Sequence, residues 1–225
     1  MELQIDVVSD TVCPWCLIGK RRFERALAGL PPGLDVKAVL NWRPFQLNPD
    51  MPPGGLDRKD YVEGKFGGPE QAQAVFENIR QAGLGEGLDF AFDAIQRTPN
   101  TTDSHRLIRW AGSAGCQDAV VEDLFARYFL AGADIGDHAV LTDIAESAGM
   151  DAKLVAELLE RGDDRDLVAR EDATAREMGV NAVPCFIVAQ RYVVFGAQEP
   201  ETFLQLFDLM ARENAEAAAS EPATV

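Results

Sequence analysis

A chain of 225 residues with 47% hydrophobic composition can bury a proper core, as one large domain or two small ones. Its formal net charge of −16 argues against nucleic acid or an anionic membrane surface as the partner, and no apolar run is long enough to cross a bilayer. Four cysteines are too sparse for a disulfide framework, and MELQIDVV lacks the basic flank and apolar stretch of a signal peptide, so the expected compartment is a reducing cytoplasm.

The first element reads as a strand over Leu3–Ser9. It runs into C-P-W-C, Cys13 to Cys16, and then into an amphipathic segment with Leu17, Ile18, Phe23, Ala26, Leu27 and Leu30 on one side. That is strand, tight loop and helix, with the cysteine pair at the first helical turn. Pro14 suits the first helical position, where its missing N–H has no intrahelical acceptor to lose. Cys13 then lies against the positive end of the helix, which favours a thiolate below the ordinary cysteine value of about 8.5. The thiolate is the attacking species in disulfide exchange, and Cys16, one turn on, is spaced to attack the mixed disulfide and release the partner.

L-P-P-G-L breaks the chain before Asp35–Trp42, a second strand; strand, helix and strand make a βαβ unit with parallel strands. Arg43–Gly55, with its four prolines, is expected to be an ordered loop. Helical periodicity then dominates, predicting helices over Arg58–Lys65, Glu70–Ala82, Thr102–Gly115, Ala119–Leu130, His138–Ala148 and Ala152–Glu160, with a short extended passage at Asp89–Phe92. The α/β pattern returns with a charged helix at Asp164–Met178, a strand over Val183–Val188, its hairpin partner Tyr192–Phe195 and a closing helix Glu199–Glu213. Pro184 cannot donate to a sheet ladder and belongs at the start or edge of its strand. The expected organisation is an α/β domain formed by 1–56 and 162–214, a helical insertion at 57–161 and a disordered tail at 215–225.

In this order the chain resembles a thioredoxin-like fold with a large helical insertion, and more narrowly the DsbA-like family in its cytoplasmic FrnE-type branch. The resemblance rests on C-P-W-C at Cys13–Cys16, W-R-P-F-Q-L-N-P at Trp42–Pro49, N-T-T-D-S-H-R-L at Asn100–Leu107, G-V-N-A-V-P at Gly179–Pro184 and V-F-G-A-Q at Val194–Gln198. It implies a cis Val183–Pro184 bond against the active-site sulfurs, with the Val183 backbone pairing with a bound peptide or thiol. It also implies that Asn100, Thr101 and His105 face the redox helix and line a substrate groove, together with Pro14 and Trp15. The wider family includes 2-hydroxychromene-2-carboxylate isomerases and kappa-class glutathione transferases, relatives that replace the first cysteine by serine and use glutathione.

The sequence therefore points to a thiol–disulfide oxidoreductase with Cys13 as nucleophile and Cys16 as resolving thiol. Its partner is a protein or small-molecule thiol or disulfide, glutathione included, and it acts as a monomer or homodimer without a bound cofactor. The rivals are a glutathione-dependent transferase or isomerase acting on a small aromatic or polyketide-like substrate, and a non-enzymatic peptide-binding protein. Half of a zinc site is the competing reading of C-x-x-C, but neither Cys116 nor the two histidines supply ligands at short spacing. Cys116 reads as a partly buried structural thiol, Cys185 as a core thiol by strand alternation with a third redox partner as the rival reading, and Trp15 as the aromatic lip of the site.

Overall fold

The structure is a computed structural model that describes the backbone of residues 1–220 and the side chains of residues 1–216. Its centre is β1 (Glu2–Ser9), whose alternation buries Leu3, Ile5 and Val7 completely or nearly so. β2 (Lys37–Pro44) pairs with it in parallel along its whole length, from Glu2 opposite Lys37 to Ser9 opposite Pro44. β5 (Cys185–Val188) pairs antiparallel on the other side and is followed by β6 (Tyr192–Phe195), giving the order β2-β1-β5-β6. The C-P-W-C segment thus leaves the middle of the sheet. β2 runs on past Trp42 because β1 offers partners as far as Ser9, and the Phe45 N–H still donates to the Ser9 carbonyl at 3.0 Å.

α1 (Pro14–Ala28) follows the cysteines and packs on α9 (Pro200–Ser220). Phe23, fully buried, ties these layers together: its ring stacks on Phe186 of β5 at 5.5 Å and meets Phe203 and Phe207 of α9 edge-on at 5.2 and 6.2 Å. α9 continues through residues 215–220, which the sequence reads as tail; residues 221–225 lie outside the described residues.

Between β2 and β5 lie β3 (Leu56–Asp57), α2 (Arg58–Phe66), α3 (Pro69–Leu84), β4 (Arg97–Thr98), α4 (Thr102–Ala114), α5 (Gln117–Phe125), α6 (His138–Ser147), α7 (Ala152–Arg161) and α8 (Arg165–Glu177). Aspartates cap several of these helices: Asp57, Asp137 and Asp151 accept from the N–H of Lys59, Ala139 and Leu154. Two expectations are corrected here. The helix expected over Ala119–Leu130 ends at Phe125 and widens to a π turn at Ala126–Leu130, where the Phe129 carbonyl accepts the Ala91 N–H at 2.8 Å. The same bond keeps Asp89–Phe92 out of a sheet, and the extended pairing falls later, where β4 pairs with β3.

α5 of the insertion and α8 of the returning α/β part are each tied to β2 or the loop after it. Gln117 of α5 accepts from the Trp42 N–H and donates back to its carbonyl, while the Trp42 indole donates to Asp118 at 3.1 Å and its ring meets Phe125. On the other side of β2, Asp172 of α8 accepts from the Gln46 N–H, and the Arg176 guanidinium lies 4.1 Å over the Phe45 ring. Buried apolar residues of the insertion and of the α/β part form one contiguous core.

Candidate active site

The local chain explains why the two sulfurs sit where they do. After β1, the Cys13 N–H turns back to donate to the Asp10 carbonyl at 3.0 Å. Cys13 keeps extended dihedrals, φ −95° and ψ 109°, and forms the N-cap of α1, with Pro14 as the first helical residue. Cys16 lies in the first turn, and its N–H donates to the Cys13 carbonyl at 3.0 Å. Both thiols are buried, with 4% of Cys13 and 1% of Cys16 exposed. Burial pushes the Cys16 thiol well above its ordinary value, and the neighbouring Cys13 adds to this; the Ser9 side chain and Asp10 backbone pull less strongly the other way.

Across from the cysteines lies the Val183–Pro184 edge, whose peptide bond is cis. The Cys13 thiol donates to the Val183 carbonyl at 3.7 Å, joining residues that are 170 positions apart. The Pro184 ring rests directly on α1 at Gly19, where an added Cβ would stand 2.8 Å from its Cγ. Pro14 and Trp15 are half-buried, and the Trp15 side chain packs on the core. Cys185 is buried, its thiol pushed up to about 11 by burial, and Cys116 is half-buried at the start of α5.

The residues singled out in N-T-T-D-S-H-R-L divide into two sets. Asn100 accepts from the Thr102 N–H at 2.9 Å and donates to the Met51 carbonyl at 2.7 Å, while the buried Thr101 hydroxyl accepts from Gln46. Those bonds hold the start of α4 to the loop after β2. His105 goes elsewhere: it is buried, with Nε2 3.4 Å from Oδ1 of the equally buried Asp10. The other Asp10 carboxylate oxygen accepts from the Leu47 N–H at 2.7 Å. Beside them, Thr11 and Ser104 join their hydroxyls at 2.8 Å, so the turn before Cys13 is bonded directly to α4. The structure thus brings Cys13, Cys16, Val183 and Pro184 together at one edge, and sets His105 beneath the redox loop.

Sequence reading passed over Asp10, Gly19 and Tyr61. Asp10 carries a signal, a carboxylate directly behind an apolar strand, and Gly19 another, a glycine inside an amphipathic helix. Tyr61 of α2 has none: burial pushes its phenol up, while a hydrogen bond with Asn48 and the charge of Arg58 pull it back. A cavity of about 560 Å³ is lined by insertion residues such as Arg58, Phe76, Arg80 and Phe92 and contains none of the cysteines. Chemistry rather than size therefore locates the site.

The chain that carries this dithiol and cis X–Pro edge is similar to known proteins along nearly its whole length. The uncharacterised protein YwbO of Bacillus subtilis is 28% identical over 204 residues, 90% of this chain and 94% of that protein. A crystal structure of a probable DsbA oxidoreductase from Streptomyces coelicolor has 29% identity and a TM-score of 0.80, covering 99% of this chain and 93% of that one. A 2-hydroxychromene-2-carboxylate isomerase structure shares the fold at a TM-score of 0.68 with 14% identity, covering 97% of this chain and 100% of that one. The family model for the DSBA-like thioredoxin domain matches residues 4–208, and the chain belongs to that family.

Proposed function

We propose that this protein is a thiol–disulfide oxidoreductase in which Cys13 is the nucleophile and Cys16 the resolving thiol. The observation that carries the reading is the position of the Cys13 sulfur: at the N-cap of α1, against the Val183 carbonyl, with Cys16 one turn behind. The Cys13 thiolate attacks one sulfur of a partner disulfide, and the other partner sulfur leaves as a thiolate. Cys16, as a thiolate, then attacks Cys13 Sγ, closing the Cys13–Cys16 disulfide and releasing the remaining partner sulfur. The same steps in reverse oxidise a dithiol, and the direction follows from the potential of the couple against its surroundings.

Glutathione or a protein thiol is the partner we assign, because the site offers the Val183 carbonyl as a backbone acceptor beside the Cys13 sulfur. Sparse cysteines in a chain built on a dithiol fit a reducing cytoplasm. Among the described residues no helix is long and apolar enough to cross a membrane.

The test is the fate of two variants with a glutathione-containing model disulfide. Cys13→Ser is expected to lose exchange altogether. Cys16→Ser is expected to attack once and stall as a mixed disulfide, visible by mass on the intact chain. Normal turnover in Cys16→Ser, with glutathione consumed in step with a small electrophile, would replace this reading with a glutathione transferase or isomerase.

A further inference from the structure

The insertion contains a cavity of about 560 Å³ that disulfide exchange does not use. It lies between α2, α3 and the turn at residues 92–96, and neither the cysteines nor the Val183–Pro184 edge line it. Small-molecule sites typically have volumes of about 300–1,000 Å³, so the space suits a ligand of one or two rings. Its wall combines aromatic rings with cations. The Phe92 ring stacks on Phe90 with centroids 4.9 Å apart, and the Phe76 ring follows it at 5.2 Å. Buried Ala72 and Ile95 complete the apolar side.

Arg58, Lys59 and Arg80 bring three positive charges to this wall, and Asp57 and Asp93 bring two negative ones. One net positive charge remains, in a chain whose formal net charge is −16. Both carboxylates are already engaged: Asp57 accepts the Lys59 N–H at 2.8 Å, and Asp93 pairs with Arg80 at 2.8 Å. Arg58 and Lys59 have no carboxylate partner among the described residues. Ring faces hold the Arg58 guanidinium instead, 5.2 Å from the Phe76 centroid and 5.6 Å from that of Tyr61. It has five N–H donors, and the protein acceptor it meets is the Thr98 hydroxyl at 3.1 Å. A guanidinium fixed in this way keeps a planar fork of donors for a carboxylate.

We propose that this cavity is a second binding site, separate from the dithiol, for a small planar aromatic carboxylate. The ligand ring extends the column of Phe90, Phe92 and Phe76, and its carboxylate takes the Arg58 guanidinium, with the Lys59 ammonium close by. One negative charge matches the net charge of the wall. A phosphate dianion brings a second negative charge to a wall that already holds Asp57 and Asp93. A neutral ring covers the guanidinium without giving its N–H groups an acceptor, which leaves donors desolvated and unbonded. An aliphatic acid answers the charge but forgoes the stacking. The proposal does not depend on the dithiol reading, because no redox residue lines the cavity.

The test is calorimetric titration of the reduced full-length chain with 2-naphthoate and three controls: 2-naphthamide, cyclohexanecarboxylate and 2-naphthyl phosphate. The naphthoate should bind saturably at one equivalent, and each control should bind at least about tenfold more weakly. Arg58→Gln and Lys59→Glu should each weaken naphthoate binding about ten- to a hundredfold, the loss expected when a charge-assisted hydrogen bond is removed. Lys59 is exposed and its backbone bond to Asp57 survives the change, so Lys59→Glu decides alone should Arg58→Gln fail to fold by circular dichroism. A chain carrying both Cys13→Ser and Cys16→Ser should keep the wild-type affinity for naphthoate. Loss of binding in that double variant would move the ligand to the dithiol and overturn the proposal. So would the absence of saturable binding, a control that binds as tightly as naphthoate, or an affinity unchanged in Lys59→Glu or in a folded Arg58→Gln.

Discussion

Replacing Gly19 by alanine probes the contact between α1 and the Val183–Pro184 edge. In a helix interior the change is worth about 1 kcal/mol of added stability from backbone propensity alone. Gly64, inside α2, isolates that gain, because an added Cβ there meets nothing within 4 Å. At Gly19 the same Cβ stands 2.8 Å from Pro184 Cγ, and 3.5 and 3.6 Å from Ala197 Cα and Cβ. Carbon atoms pack best at about 3.5–4.0 Å, so Pro184 would have to retreat by ~0.7 Å or more. It has little room to do so, since its carbonyl accepts the Gly196 N–H at 2.8 Å and β5 follows at once. Overpacking of this kind costs about 1–3 kcal/mol. The propensity gain is common to both variants, so the gap between them is the packing cost alone. For a chain of this size about 2 kcal/mol corresponds to ~4–8 °C in midpoint. Urea and thermal unfolding by circular dichroism measure it: Gly64→Ala should rise above wild type and Gly19→Ala should fall below Gly64→Ala by that gap. Equal midpoints for the two variants would refute the packing argument.

Three further outcomes follow from particular contacts. Phe23→Ala empties the centre of the cage formed by Phe186, Phe203 and Phe207 and should lower unfolding stability by about 3–5 kcal/mol in urea titrations; a loss under 1 kcal/mol would mean that the cage collapses onto the void. Asp103 is pushed up by burial, but hydrogen bonds from His138 and Arg106 and the charges of Arg106 and Arg165 outweigh this and hold its carboxyl below the ordinary value. A depressed carboxyl contributes stability above its unfolded-state value of about 3.9 and loses it as pH falls through the folded value. The urea midpoint of Asp103→Asn should therefore trail wild type at pH 7, and the gap should close below about pH 4; a gap that persists in acid contradicts the assignment. Finally, because burial holds the Cys16 thiol high, iodoacetamide should modify Cys13 before Cys16 at neutral pH, with peptide mapping to give the order.

Much of this protein acts over short distances along the chain, and there the sequence was informative. C-P-W-C between an apolar strand and an amphipathic helix specified a dithiol at a helix start, because alternation, helical period and the fixed φ of Pro14 each operate within a few residues. The prolines of Arg43–Gly55 and the glycines between the insertion helices marked breaks for the same reason. Boundaries were less legible. β2 ends where β1 stops offering partners, and the π turn after Phe125 carries a Phe129 carbonyl that accepts from Ala91, on a distant loop.

The rest depended on which distant residues the fold brings together. Thr11 and Ser104, 93 positions apart, and Cys13 and Val183, 170 apart, meet only because the sheet order puts β1 beside both β2 and β5 while α4 packs over the loop between them. His105 stands out in sequence only through the motif it belongs to; it becomes half of a dry, unbonded pair when Asp10 is folded against it. The sequence by itself determined the local elements and the dithiol, since those follow from side-chain pattern and backbone stereochemistry. Tertiary structure alone decided which polar groups lost their water and which met a partner, because desolvation and hydrogen bonding between remote segments depend on how the whole chain packs.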